Sequence, residues 1–250
     1  MPFQIFEGYF DDFKEASGDL SFYDSDTYLK RTESNLKEQM KSNNHVYEYI
    51  FAPIIFGLTS KLIKKKKLRI LDYGGGVGLS YLNLAKCLED MSDIEYVIYD
   101  SHKNCKLGRK YLSGEENLHF FSDFNLLNFN FDLIHLGSVI QYIEDLRPEL
   151  CQLLQTTSQE KPRHILISDA YVGSDKTFVT TADYYGHKHP CKFRSWSDLL
   201  DDLSFFNYKL KAKIPFIAQI HNHFEFYDMS NMPKELRIKN TWHLFFESEN

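Results

Sequence analysis

The sequence predicts an α/β protein whose core is a doubly wound, mostly parallel sheet of seven strands with helices on both faces. An apolar strand at Leu68–Tyr73 runs into a glycine-rich loop that opens a helix. Strands and helices then alternate as far as His164–Ser168, and the chain ends with two apolar segments. Such alternation is typical of a parallel sheet with right-handed crossovers.

Each element follows from the spacing of apolar residues. Strands are expected at Leu68–Tyr73, Ile94–Tyr99, Leu118–Phe121, Phe131–Leu136, His164–Ser168, Tyr208–Ile214 and Thr241–Phe246. Helical spacing predicts helices at Gly78–Glu89, His102–Leu112 and Arg147–Leu154, a short turn near Phe124–Leu127 and a last helix after Trp196.

Residues 1–65 are expected to form an N-terminal helical extension, separate from the domain at 66–250. Asp24-Ser25-Asp26 offers an N-cap for a helix through Met40, and a second helix is expected from His45 to Lys65. No strand is expected in this extension. The lysine run at 64–67 fits a solvated helix C-terminus better than a nucleic-acid or anionic-lipid patch, because cations there complement the helix dipole.

Composition excludes several classes of function. The chain has 250 residues and a formal net charge of −6, which argues against broad nucleic-acid binding. Its cysteines have neither zinc-site nor redox spacing, so no metal site is predicted, and their scatter fits a reducing compartment. No signal peptide or membrane-spanning run is recognised, so we expect a cytoplasmic protein without membrane insertion. The oligomeric state is left open.

The glycine loop carries the strongest functional signal. Asp72 precedes Gly74, Gly75, Gly76 and Gly78, in a loop where backbone can closely approach a nucleotide-like ligand. A dinucleotide fingerprint would need its third glycine at the position of Leu79, which argues against a Rossmann dehydrogenase. The pattern D-x-G-x-G-x-G resembles the first motif of class I S-adenosylmethionine-dependent methyltransferases, which have a Rossmann-like fold.

A second acid follows the next strand at the same edge of the sheet. Asp100 comes 22 residues after Gly78, a spacing that suits a hydrogen bond to ribose hydroxyls. An aspartate in this position is also a common helix cap, and Asp100 does precede a helix. With the glycine loop in register, we favour the ribose role.

The resemblance extends along most of the chain. The segments Asp72–Tyr81, Gly137–Ile143 and Phe6–Phe10 are similar to motifs of a methyltransferase family associated with bacterial surface-polysaccharide biosynthesis. The resemblance implies the cofactor S-adenosyl-L-methionine and a small-molecule or sugar-linked acceptor, methylated on oxygen or nitrogen. It also implies that the last two strands form an antiparallel edge.

The resemblance also implies further contacts to the cofactor and the acceptor. In that fold an acid after the third strand reaches the adenine amino group, and a neighbouring apolar residue packs on the ring. This implies adenine contacts for Asp123 and Phe124. Backbone at Gly137 would approach the methionine portion, and Gln141 and Tyr142 would face the acceptor.

The candidates for catalysis all follow the glycine loop in the chain. A hydroxyl acceptor needs a base, and Asp169, His187, His189 and Tyr142 are the candidates. The two histidines fall in a polar segment, 184–190, that reads equally well as an exposed loop. His221 and His223 repeat the same spacing between the last two strands, and His135 is expected to be a packed core histidine. Because no base is certain, a non-catalytic binding or scaffold protein with the same fold stays open as the alternative.

Overall fold

The computed structural model describes residues 5–42, 67–88, 90–127, 130–156, 161–184, 186–216 and 228–249. The expected helix at 45–65, most of the lysine run, and His221 and His223 lie outside these ranges. Five α-helices are found among the described residues: α1 (Asp26–Lys41), α2 (Leu79–Cys87), α3 (His102–Leu112), α4 (Leu146–Thr156) and α5 (Trp196–Phe205).

The described strands number eleven. They are β1 (Phe6–Phe10), β2 (Leu68–Tyr73), β3 (Ile94–Tyr99), β4 (Leu118–Phe121), β5 (Leu133–Gly137), β6 (His164–Ala170), β7 (Val172–Ser174), β8 (Phe178–Tyr184), β9 (His187–Ser195), β10 (Tyr208–Phe216) and β11 (Thr241–Ser248). Seven of them form one sheet in the order β10-β11-β6-β5-β2-β3-β4, and the other four form a second sheet in the order β1-β8-β9-β7.

The seven-stranded sheet confirms the predicted α/β architecture. β2 pairs in parallel with both β3 and β5, and β3 pairs in parallel with β4. β10 and β11 pair antiparallel along their whole length. The strand order steps outward from β2 in both directions, so the carboxyl ends of β2, β3, β4 and β5 meet at one edge. That edge is where ligands bind in open α/β sheets.

The second sheet corrects two expectations. β1 is a strand within the segment that was expected to be wholly helical, and it pairs antiparallel with β8. The segment at 184–190, expected as a polar loop, forms the turn and first residues of the β8–β9 hairpin. Gly186 makes this turn with a φ of 80°. β1 was missed because it pairs with β8, far along the chain, where local periodicity gives no signal, and the hairpin was missed because its segment is polar.

The chain divides into two compact units. The first comprises Tyr23–Gly137 and Cys151–Leu166, and the second comprises Met1–Phe22, Ser138–Leu150 and Ile167–Asn250. In the second unit a buried apolar cluster links the small sheet to the segment before β11. Phe193 is its centre, stacked on Phe178 at 4.9 Å between ring centroids and edge-on to Phe6 at 5.0 Å.

Candidate functional site

The glycine loop at the carboxyl end of β2 has a backbone that only glycine adopts without strain. Gly74, Gly76 and Gly78 have φ values of 73°, 59° and 97°. Gly78 is the N-cap of α2, so the loop delivers the chain directly into the helix. A Cβ at Gly76 would meet no heavy atom within 4 Å, so there is open space beside this part of the loop.

Gly75 is required for a different reason, which is contact with Asp72. A Cβ at Gly75 would lie 2.7 Å from Asp72 Cγ. Asp72 is itself 1% exposed, and its Oδ2 accepts a hydrogen bond from the Tyr96 hydroxyl at 2.8 Å. The loop therefore rests directly on a buried carboxylate.

His135 is the second partner of Asp72. Its Nδ1 lies 2.8 Å from Asp72 Oδ1, at ion-pair distance, although the N–H direction is too oblique for a well-formed hydrogen bond. The two residues are register partners on the neighbouring parallel strands β2 and β5. His135 is buried, as expected of a core histidine, but its pairing with Asp72 was not predicted.

Asp100 follows β3 and braces the glycine loop from the side. Its Oδ2 accepts a hydrogen bond from the Gly76 amide at 2.8 Å. Its Oδ1 accepts from the Ser101 amide at 2.7 Å and from Asn104 Nδ2 at 2.8 Å. Burial raises the pKa of this carboxyl, and the hydrogen bonds partly offset that effect. A carboxylate has about four acceptor positions, and the described residues occupy three of them, which leaves one for a ligand hydroxyl.

Asp123 and Phe124 begin the short turn after β4. Asp123 is exposed and its side chain caps the turn, accepting from the Asn125 amide at 2.9 Å. Phe124 packs on Tyr99 with 4.2 Å between ring centroids. Tyr99 in turn stacks on Tyr73 at 5.3 Å. These three rings form an aromatic platform at the strand ends, which sequence reasoning identified only at Phe124.

Tyr28 of α1 is a further residue that sequence reasoning missed. Its pKa is raised by burial first and by the charge of Asp100 second. The segment just before α1 also contacts α3, because the Lys103 Nζ of α3 donates a hydrogen bond to the Asp24 carbonyl at 2.8 Å. The N-terminal end of α1 therefore lies beside the start of α3.

Gly137, the remaining cofactor candidate, ends β5. A Cβ there would lie 2.7 Å from His135 Cε1. Gly137 and Gly75 are thus both in contact with the buried pair of Asp72 and His135.

The candidates for catalysis lie in the second unit. Asp169, at the end of β6, has a φ of 53°, and Ser138 has a φ of 50°. The Ser138 hydroxyl donates to Asp169 Oδ2 at 2.8 Å, and the Thr241 hydroxyl donates to Oδ1 at 2.6 Å. Two non-glycine residues with left-handed backbone are thus joined by a hydrogen bond, and such strain is often found at functional sites.

Tyr142 and His189 are in contact with each other, whereas His187 contacts a different ring. The Tyr142 ring lies edge-on to the His189 ring at 5.5 Å. His189 is 1% exposed, and burial lowers its pKa, so its imidazole is neutral at pH 7. His187 is exposed and stacks on Phe22 at 4.2 Å.

A buried arginine supports the segment that carries Tyr142. Arg194 is 2% exposed, and its guanidinium donates to the carbonyls of Ile140 and Ile143, both at 2.7 Å. Burial lowers the pKa of Arg194 to about 10. Gln141 lies between the two carbonyls, is 1% exposed, and its Oε1 meets no donor among the described residues. Arg194 gave no sequence signal, because nothing local distinguishes it from a surface arginine.

The described part of the chain contains neither a metal cluster nor a membrane-spanning helix. No group of three or more His, Cys, Asp or Glu side chains there is placed to hold a metal ion. No helix there is long and apolar enough to cross a bilayer.

The comparisons with known proteins bear on the fold. No protein-family model and no curated protein matches the sequence. Among solved structures, the magnesium protoporphyrin IX methyltransferase of Synechocystis with bound S-adenosylhomocysteine is similar, with a TM-score of 0.57 and 12% identity over 92% of this chain and 98% of that one. A S-adenosylmethionine-dependent methyltransferase from Clostridium acetobutylicum has a TM-score of 0.53 and 13% identity over 88% and 99% of the two chains.

A third similar structure is larger than this chain. It is an O-methyltransferase family 2 protein from Planctomyces limnophilus in complex with apigenin, with a TM-score of 0.54 and 14% identity. The match covers 90% of this chain and 61% of that one. At identities this low the likeness establishes the fold, and that fold is the one shared by S-adenosylmethionine-dependent methyltransferases.

Proposed function

We propose that this protein is a S-adenosylmethionine-dependent methyltransferase acting on a small acceptor. The observation that carries the proposal is the loop of Gly74–Gly78, which opens α2 and is braced by Asp100 through the Gly76 amide. In this fold the same edge of the sheet holds the cofactor, and the Synechocystis and Clostridium proteins of similar structure are both methyltransferases.

The residues at this edge fit a nucleoside with a charged amino-acid tail. The space beside Gly76 is open, so a ligand can approach the loop backbone there. Asp100 keeps one acceptor position for a ribose hydroxyl. The platform of Tyr73, Tyr99 and Phe124 offers aromatic surface for a base, with Asp123 at its margin. Gly137 would let backbone approach the amino-acid portion.

When bound, the cofactor supplies an electrophilic methyl group on a sulfonium. The tasks left to the chain are to hold the acceptor in line with that methyl group and to take up the acceptor's proton. His189 is the candidate base whose imidazole is neutral at pH 7, although the burial that lowers its pKa also makes it a weaker base. Tyr142 packs on His189 and would orient it, whereas Asp169 would position the acceptor through its hydroxyl network.

The acceptor class is proposed from two sources. The resemblance of the Gly137–Ile143 segment implies a sugar-linked hydroxyl or amine. The Planctomyces O-methyltransferase of similar fold was solved with the flavone apigenin. A screen therefore needs both sugar-linked hydroxyls and phenols.

Calorimetry with S-adenosylmethionine, S-adenosylhomocysteine and NAD tests the cofactor. We expect micromolar binding of both sulfur ligands and none of NAD. Asp100→Ala should weaken binding by about 1–3 kcal/mol, since it removes both a ligand acceptor and the brace on Gly76. Asp90→Ala is the matched control, because Asp90 is another helix-flanking carboxylate that accepts a backbone amide, that of Ser92 at 2.8 Å, and it lies away from the loop. Folded protein that binds neither sulfur ligand would refute the proposal.

A further inference from the structure

Two glycines of the first unit are present for steric reasons and not for backbone conformation. Gly75 and Gly137 both have φ outside the left-handed region, so alanine would suit their backbone. A Cβ at Gly75 would lie 2.7 Å from Asp72 Cγ, and one at Gly137 would lie 2.7 Å from His135 Cε1. Real Cβ atoms do not approach other atoms this closely, so each glycine is in direct contact with the side chain beneath it.

The two side chains beneath these glycines contact each other. Asp72 Oδ1 lies 2.8 Å from His135 Nδ1, and Asp72 Oδ2 accepts from the Tyr96 hydroxyl at 2.8 Å. All three side chains are almost fully buried and come from the adjacent strands β2, β3 and β5. A layer of polar groups thus lies directly under the cofactor loop on one side and the end of β5 on the other.

Packing alone does not account for this layer. On β3 the register partner of Asp72 is the apolar Ile98, and a well-packed apolar pair at a buried position is commonly as stable as an ion pair or more so. The polar pair instead fixes geometry, because it holds Asp72 from both sides in a single orientation. Gly75 contacts that carboxylate, so its position determines the position of the loop.

We propose that His135 is a positioning residue for the cofactor loop. It holds the Asp72 carboxylate in place, and Asp72 in turn sets the height of Gly75 above the end of β2. The inference rests on the proposed function, in that it takes the loop to be the site of the cofactor. His135 itself is buried under Gly137 and acts through Asp72 and the two glycines.

Two substitutions of His135 separate positioning from bulk packing. In His135→Asn the amide keeps a polar nitrogen beside Asp72 Oδ1 in place of Nδ1, whereas His135→Leu fills the volume without a polar nitrogen. We expect His135→Leu to raise the Kd for S-adenosylhomocysteine at least about tenfold, and His135→Asn to raise it less than about threefold. Urea unfolding of the same samples shows whether each variant is folded, and rescue by Asn identifies the polar contact with Asp72 as the cause.

A double-mutant cycle tests the contact even where His135→Leu does not fold. Gly75→Ala should weaken S-adenosylhomocysteine binding at least about tenfold, and most of that loss should disappear in the Asp72→Ala background, where the clashing atoms are absent. Gly114→Ala is the control, because a Cβ there meets nothing within 4 Å.

The outcomes separate this inference from the proposed function. Wild-type protein that binds no S-adenosylhomocysteine refutes the proposed function and the inference with it. Wild-type binding that is left unchanged by a folded His135→Leu, or a Gly75→Ala loss that is equal in both backgrounds, refutes the inference alone.

Discussion

Replacing Arg194 by Met tests whether this buried cation holds the segment that carries Gln141 and Tyr142. Methionine restores most of the apolar stem volume but donates no hydrogen bond. The substitution removes the guanidinium from two carbonyls, each of which accepts from it at 2.7 Å, and leaves the Ile140 carbonyl with the longer hydrogen bond from the Ile143 amide, 3.2 Å. The Ile140 carbonyl is buried, so water cannot easily replace the arginine there, whereas the Ile143 carbonyl is partly accessible.

The magnitude follows from these two carbonyls. Loss of a hydrogen bond from a charged donor costs about 1.5–3 kcal/mol at the buried Ile140 carbonyl, which keeps its bond from the Ile143 amide, and about 1 kcal/mol or less at the partly hydrated Ile143 carbonyl. Relief of the desolvation that lowers the Arg194 pKa to about 10 offsets part of this loss. We therefore expect the free energy of unfolding to fall by about 2–3 kcal/mol in Arg194→Met, and by about half of that in Arg194→Lys, which reaches one carbonyl.

Equilibrium urea unfolding measures the change, and the chain supplies a matched control. Arg237 also donates to two backbone carbonyls, those of Met232 and Ser230, both at 2.8 Å, but it is exposed. Arg237→Met should cost less than about 1 kcal/mol, because water replaces its hydrogen bonds. If Arg194→Met is no less stable than Arg237→Met, burial adds nothing to the stabilisation by the Arg194 hydrogen bonds, and the reasoning is refuted.

Two further predictions concern the second unit. Burial lowers the pKa of His189 below its ordinary 6.5. Below pH 6.5 the unfolded chain therefore binds a proton that the folded chain does not, so the free energy of unfolding decreases as the pH is lowered. His189→Gln should reduce that loss in urea unfolding at about pH 5.5 relative to about pH 7.5, whereas exposed His187→Gln should retain the wild-type dependence. Lys213 Nζ lies 4.4 and 4.5 Å from the ring centroids of the chain's two tryptophans, so Lys213→Met should cost about 0.5–2 kcal/mol and alter the intrinsic fluorescence. Unchanged emission and stability would show that this cation does not interact with the rings in solution.

Much of the cofactor edge was predictable because it is encoded locally. The run from Leu68 to Tyr73 is apolar, and Gly74, Gly76 and Gly78 occupy positions where only glycine has the required φ. Asp100 was singled out from its spacing for a ribose role, which stays a prediction, and in the structure it braces the loop. These features depend on residues close together in the chain, so pattern and spacing were enough.

The acceptor side was less predictable because its contacts join distant segments. Tyr142 meets His189 only because β8 and β9 form a hairpin, which the polar composition of 184–190 did not suggest. Arg194 and Gln141 are buried by neighbours that are remote in sequence. A side chain's burial partners depend on which strands pair, and pairing is decided by the whole chain.

The sequence by itself determined the alternation of strands and helices, the glycine loop and the acid that follows the second strand of the large sheet. The tertiary structure decided that β1 joins β8, that His135 pairs with Asp72 across β2 and β5, and that both lie beneath glycines. The physical reason is that periodicity specifies which residues are buried. Only the register between strands specifies which buried residues meet.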